Sequence, residues 1–351
     1  VLISLLFLFL FWRAEAQEVS FVKPGVVIDT IRCLDFPEQT YAIYLPTYYT
    51  PEKAWPIIYI FEPAARGVVP IKIFKSAAER WGYIIVSSNN SKNGNWEAIF
   101  EAADAMFVDT AKKCSIDQSR IYTSGFSGGA RAAIAVARLT GQVTGIIGCG
   151  AGSPNRKEYQ LNETNRAKYI GIVGDVDMNY LEVKTQEIQF NDMGIKNFRL
   201  TWPSMHQWPP SYMIDKAIQW MEYQTNDTLS SARKERIERN FTNYRDSLFN
   251  SNNQDEAIRI AKYLGTEMGI KPIIEMDEYE KSKAYKKESK ALEKAEKREL
   301  SYQATYFVEA ATIPQTRLAE KDSLNPIEWW KNEIDIWQRN KNAKDVNVQK
   351  M

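Results

Sequence analysis

A serine set between glycines, Gly125-Phe126-Ser127-Gly128-Gly129, lies upstream of His206, the only histidine in the chain. A serine hydroxyl becomes a useful nucleophile only when a base takes its proton, and that base needs an acid to orient it. The pattern Gly-x-Ser-x-Gly supplies the serine on a sharp strand-to-helix turn, where its oxygen stands clear of the backbone. Such a turn strains the serine and leaves no room for neighbouring side chains, so Gly125, Gly128 and Gly129 are expected to provide that room. His206, in Ser204-Met205-His206-Gln207-Trp208-Pro209, is the sole imidazole and therefore the candidate base. Two acids compete in Gly174-Asp175-Val176-Asp177. Asp177 sits further into the turn, where a side chain can swing toward a histidine loop, and is preferred. Asp175, beside the strand end, suits bracing the turn instead.

A tetrahedral intermediate also needs two N–H donors for its oxyanion, and the loss of one typically costs about 3 kcal/mol of barrier. One should come from Gly128, the residue after the serine. The other should come from Glu62-Pro63-Ala64-Ala65-Arg66-Gly67. Pro63 has no N–H, which leaves Ala64 as the candidate. Glu62 and Arg66 are alternatively an ion pair that shapes this loop. Trp208, two residues past His206, is the candidate substrate contact. Core packing is the commoner fate of a tryptophan.

The flanking sequence contains the elements these residues require. Val26 to Leu34 and Thr40 to Leu45 read as strands, as do Ile57 to Phe61 and Tyr83 to Val86. Continuous apolar runs of this kind suit strands covered on both faces. Helical patterns occupy Ile71 to Trp81 and Trp96 to Thr110. Arg120 to Ser124 is the strand before the serine, and Ala130 to Leu139 is the helix after it. Further strands fall at Gly145 to Cys149, Tyr169 to Val173 and Phe198 to Trp202, followed by a helix from Pro209 to Tyr223. The alternation predicts a mostly parallel sheet flanked by helices. Gly148-Cys149-Gly150-Ala151-Gly152 reads as a strand-end loop beside the site, because Ser153 breaks a dinucleotide pattern.

Residues from about 25 to 223 resemble α/β-hydrolases of the polyhydroxybutyrate depolymerase-like and feruloyl esterase-like group. The resemblance rests on Ser115-Ile116-Asp117 to Arg120-Ile121-Tyr122 leading into Gly125 to Gly129. It rests also on Gly174 to Asp177 and on His206-Gln207-Trp208-Pro209. It implies an α/β-hydrolase fold, serine esterase chemistry on an exported protein, and Asp177 rather than Asp175 as the acid. The chain departs from the group at Glu62-Pro63, where His-Gly is common, and the tail past about residue 225 has no counterpart.

Length and composition set the remaining bounds. A chain of 351 residues is enough for one large domain or a medium domain plus a small one, and with 44% hydrophobic residues it can build a sizeable core. A net charge of +1 provides no bulk field for nucleic acid or an anionic membrane. One histidine excludes a multi-histidine metal site, and the spacing of Cys33, Cys114 and Cys149 fits no zinc pattern. No cofactor is implied. Three cysteines leave at least one unpaired within the chain, and they read equally well as buried hydrophobes. Residues 1–16 read as a secretory signal peptide, with the apolar run Val1 to Trp12 ahead of Ala14-Glu15-Ala16. That run is shorter than the about 20 residues of a span. The expected organisation is 17–225 as the hydrolase domain and 226–351 as a C-terminal all-helical extension, a surface for a partner or second subunit. Asn162-Glu163-Thr164 and Asn240-Phe241-Thr242 are sequons, relevant only in a eukaryotic secretory path. The expected activity is ester hydrolysis by a protein secreted or held in the periplasm, on a small-molecule or polymer-linked ester. A serine peptidase with the same residues, or a non-catalytic binding protein on a hydrolase frame, are the alternatives.

Overall fold

Eight runs rich in β-branched and aromatic residues form the sheet, and the helices fall between them. The computed structural model describes residues 22–251, 253–316 and 335. In chain order the elements are β1 (Val27–Arg32), β2 (Thr40–Tyr44), β3 (Trp55–Phe61), α1 (Val68–Trp81), β4 (Ile84–Ser88) and α2 (Trp96–Lys113). Next come β5 (Ile116–Phe126), α3 (Gly128–Thr140), β6 (Gly145–Cys149), β7 (Lys168–Gly174), α4 (Tyr180–Asp192), β8 (Asn197–Trp202) and α5 (Ser211–Thr225). The sheet order is β1-β2-β4-β3-β5-β6-β7-β8. Strands from β3 to β8 pair in parallel, and β2 runs antiparallel to both β1 and β4. This is the α/β-hydrolase fold, with β5 inside the sheet delivering its C-terminal end to the turn at Ser127.

Alternation along the strands divides the core into two layers. Ile57, Tyr59 and Phe61 face α2 and α3, together with Met106 and Ile134. Ile58 and Ile60 face α1 and α5, together with Phe74 and Ile218. Every residue of β3 is buried, as its unbroken apolar run requires. Helix α4 is not announced by the sequence pattern. Its buried Leu181, Val183 and Phe190 are too sparse among polar residues to announce a helical stripe.

The change of composition near Asn226 coincides with the end of α5, where Asn226 is the C-cap. Beyond it lie α6 (Ser231–Asn250), α7 (Gln254–Met268), α8 (Ile274–Lys281) and α9 (Lys283–Thr316). The first two share the core of the sheet. Ile237, Phe241, Ile260 and Leu264 are buried with Phe198 and Trp220, and the rings of Phe198 and Tyr263 stack at 4.2 Å. They also cover the sheet edge. Tyr244 donates to the carbonyl of Thr201 at 2.9 Å, and Arg259 donates to the carbonyl of Arg199, so exposed main-chain acceptors of β8 find partners. Helix α9 carries the lysine- and glutamate-rich stretch, with pairs such as Glu293 and Lys297 at 2.6 Å. Lys184 of α4 binds Glu296 at 2.6 Å.

All three cysteines are free and buried. Asn240 of the second sequon donates to Gln219 at 2.9 Å from within α6, so its amide is already engaged. Among the described residues no helix is long and apolar enough to cross a membrane, and no cluster of metal-ligating side chains occurs. The signal-peptide assignment at 1–16 and the pair Trp329-Trp330 lie outside the described residues.

Candidate active site

Strand β5 ends at Phe126 and α3 begins at Gly128, so Ser127 alone makes the turn. Its φ of 54° and ψ of −121° belong to a region that side chains avoid, at a cost of order 1–3 kcal/mol. The strain persists because neighbouring contacts enforce it. Ser127 N–H donates to the carbonyl of Cys149 at 2.8 Å. A Cβ on Gly125 would lie 2.1 Å from the Gly129 carbonyl oxygen, and one on Gly129 would lie 1.9 Å from that of Phe61. These two glycines are required by backbone packing, as expected. Gly128 is different, because what occupies its side-chain position is a side chain, that of Asn93.

Three residues far apart in sequence, Ser127, His206 and Asp177, form one hydrogen-bonded chain. His206 Nε2 is 3.0 Å from Ser127 Oγ. On the other side of the ring, Nδ1 is 2.9 and 3.0 Å from the two carboxylate oxygens of Asp177. An ionised carboxylate only accepts, so Nδ1 carries the proton and Nε2 presents its lone pair to the serine hydroxyl. Asp177 Oδ1 also accepts from Asn179 N–H at 2.8 Å, which fixes the carboxylate within its turn. Asn179 in turn donates to the carbonyl of Gly150 at 2.8 Å, so the glycine-rich loop after β6 borders the site.

Asp175 takes a separate place. Its Oδ1 accepts from Ser204 N–H at 3.0 Å, and Val176 N–H donates to the Ser204 carbonyl at 3.1 Å. It ties the turn after β7 to the loop that carries His206. The imidazole is also held from its face, where the Phe126 ring lies 4.6 Å away at 34°. Trp208 packs on Phe126 at 5.3 Å and edge-on to Phe74 at 6.4 Å, against the core of the α1 and α5 side. Among the described residues its buried indole N–H has no hydrogen-bond partner. Trp208, the candidate substrate contact, is half-buried and also braces the Phe126 ring. The role of Phe126 is not legible in sequence, since the middle positions of Gly-x-Ser-x-Gly carry no signal of their own.

The oxyanion assignment requires a correction at Ala64. Its N–H donates to Glu62 Oε2 at 2.8 Å and is not available. The reason is the buried carboxylate that this chain places after β3. Glu62 Oε2 also accepts from Arg66 N–H at 3.0 Å, and Glu62 Oε1 accepts from the Arg66 guanidinium at 2.6 Å. Burial raises the pKa of Glu62, but the bonds from the Arg66 side chain and from the Arg66 and Ala64 N–H groups, with the Arg66 charge, outweigh it. The net shift is downward, so the group stays ionised. The expected Glu62–Arg66 pair thus does shape the loop. Ala65, at φ 59°, shares with Ser127 the status of a strained non-glycine residue. Gly128 N–H, first in α3, is an orphan donor at a helix N-terminus, where the dipole favours negative charge.

No family model and no curated protein matches the chain. Solved structures give partial matches to it. It is similar to S-formylglutathione hydrolase FrmB of Staphylococcus aureus, at 11% identity over 56% of this chain and 95% of that one, with a TM-score of 0.44. It is similar to the fluorophosphonate-binding serine hydrolase FphF of S. aureus, at 12% identity over 56% and 98%, with a TM-score of 0.46. A truncated carbohydrate esterase from gut microbiota gives 13% identity over 58% and 98%, with a TM-score of 0.47.

Proposed function

We propose that this protein is a serine hydrolase that cleaves carboxylic esters through an acyl-enzyme on Ser127. One observation carries the reading: a strained serine hydroxyl 3.0 Å from an imidazole whose far nitrogen rests on a buried carboxylate. In the forward step His206 Nε2 takes the Ser127 proton as Oγ adds to the ester carbonyl carbon. The carbonyl electron pair moves to oxygen, and Gly128 N–H meets the charge. Collapse expels the alcohol, which leaves with the proton from His206. Water, deprotonated by the same nitrogen, then attacks the acyl group and frees Ser127. Asp177 holds the tautomer and stabilises the imidazolium. Val176, Met178 and Met205 flank the acid and base and expose apolar surface, which suits an ester with an apolar portion. Export is part of the proposal and rests on the apolar run and Ala-x-Ala ending of residues 1–16.

A short-chain aryl ester and a fluorophosphonate probe test this reading. Turnover and labelling by the wild type, both lost in Ser127→Ala, are expected. Turnover that survives the substitution would sink it. One observation favours a second reading, a hydrolase frame without turnover: Ala64 N–H is engaged, which leaves the site short of a main-chain donor. Silence toward the probe in folded wild-type protein would select that alternative.

A further inference from the structure

The loop after β3 has no N–H to offer an oxyanion anywhere between residues 63 and 67. Pro63 has none. Ala64 and Arg66 donate to Glu62 Oε2 at 2.8 and 3.0 Å. Ala65 donates to the Glu62 carbonyl at 3.0 Å, and Gly67 donates to Asn89 Oδ1 at 3.0 Å. Freeing Ala64 would leave a buried carboxylate short of a partner beside a developing negative charge, which is unfavourable twice over. A second donor therefore has to come from another segment.

The segment that reaches the serine turn is the loop after β4. Asn93 N–H donates to the carbonyl of Pro63 at 2.8 Å, which anchors this loop on the one after β3. From there the Asn93 side chain lies against Gly128. A Cβ on Gly128 would fall 1.9 Å from Asn93 Oδ1, 2.6 Å from Cγ and 2.8 Å from Nδ2. Gly128 has no positive φ, so its backbone does not demand glycine. The absence of a side chain is what admits the carboxamide. Among the described residues that carboxamide has no hydrogen-bond partner, and Asn93 is exposed. Its terminal torsion is broad and roughly two-fold, so the NH₂ group can turn toward the space in front of Gly128 N–H.

We infer that Asn93 is a catalytic residue, its side-chain N–H forming the oxyanion site together with Gly128 N–H. The inference rests on the proposed serine hydrolase reading and completes it. Ser127 Oγ adds to the carbonyl carbon, its proton passes to His206, and the carbonyl π electrons move to the oxygen. That oxygen is then held by one main-chain and one side-chain donor. The carboxamide replaces the loop amide that Glu62 has taken.

The test compares wild type, Asn93→Ala, Asn93→Asp and Ser127→Ala on a short-chain aryl ester, with an arylboronic acid as a tetrahedral-adduct inhibitor. Circular dichroism and thermal melts verify folding. Both Asn93 variants should lose about 100- to 1,000-fold in kcat while KM stays nearly constant, and should bind the boronate correspondingly less well. Gly128→Ala should reproduce the loss in the wild type by displacing the carboxamide, and should add little in an Asn93→Ala background. Asn93→Ala with kcat and boronate affinity within about threefold of a wild type that needs Ser127 overturns this inference alone. A folded wild type with no Ser127-dependent turnover or labelling overturns both it and the hydrolase reading.

Discussion

Tyr244 of α6 donates its hydroxyl to the main-chain carbonyl of Thr201, on the outermost strand β8, at 2.9 Å. The bond joins the lysine- and glutamate-rich C-terminal part to the sheet at a place where an open strand edge would otherwise invite other chains. A protein ending at Thr225 should lose both this cover and the burial of Ile237, Phe241, Ile260 and Leu264, each worth about 1.5–3 kcal/mol. We expect it to aggregate or to melt without cooperativity. A soluble, cooperatively melting 22–225 fragment, seen by calorimetry and size-exclusion chromatography, would show that 226–351 is a separable unit.

Gly129 is expected to tolerate no side chain, because its Cβ would lie 1.9 Å from the Phe61 carbonyl oxygen. Gly129→Ala should destabilise the fold by at least about 3 kcal/mol, through displacement of β3 from the start of α3. Gly141→Ala provides the contrast: φ is 64° but the space is open, and the cost should stay near 1 kcal/mol. Urea titrations of the two variants should separate them clearly, and equal midpoints would contradict the packing argument.

Asp177→Asn and Asp175→Asn should behave differently if Asp177 orients His206. The first leaves Nδ1 facing an amide that can donate, so the wrong tautomer is favoured and kcat should fall by about 10⁴-fold. The second weakens the bond from Ser204 N–H that ties the histidine loop to the turn after β7. A loss below about tenfold, with a lower melting temperature, is expected there. Steady-state kinetics on both variants decide it, and equal losses would leave the two acids undistinguished in role.

Glu256 of α7 is buried between Arg259 and Arg199, with Glu187 and Thr201 facing the same cluster. Burial raises its pKa, but the two guanidinium charges and the bonds from Arg259 and Thr201 outweigh that and bring it from 4.5 to about 2. A depressed folded-state value means that the stabilisation is complete above the ordinary 4.5 and fades as pH falls toward about 2. Its ceiling is about 3 kcal/mol. Glu256→Gln should therefore melt well below the wild type near neutral pH, and the gap should narrow through that acid window. A gap independent of pH would argue against an ionised Glu256.

The thiols of Cys33 and Cys114 are raised by burial to about 12, and that of Cys149 is raised further for the same reason. Inert thiols follow, since the thiolate is the reactive form. Ellman's reagent should find almost none in the folded protein and all three after denaturation without reductant. Rapid labelling of folded protein would contradict the buried, unpaired arrangement.

Much of this molecule is legible one segment at a time. The strand, tight turn and helix around Ser127, the apolar runs of β3 and β4, and the order serine, aspartate, histidine are local patterns, because backbone sterics and side-chain periodicity act over a few residues. The sparse apolar positions of α4 left that helix unread. In α6 and α7 a few buried residues sit among many charged ones, so average composition concealed a shared core. Loop endpoints are decided only by strand register, which determines what each loop meets across space. Sequence alone therefore does not show that the buried Glu62 carboxylate binds the Ala64 N–H, or that the sheet carries Asn93 to Gly128. The two aspartates after β7 differ by two residues in sequence; the turn pattern favours Asp177, but only the packed His206 ring shows what each carboxylate touches, Asp177 the ring and Asp175 its loop.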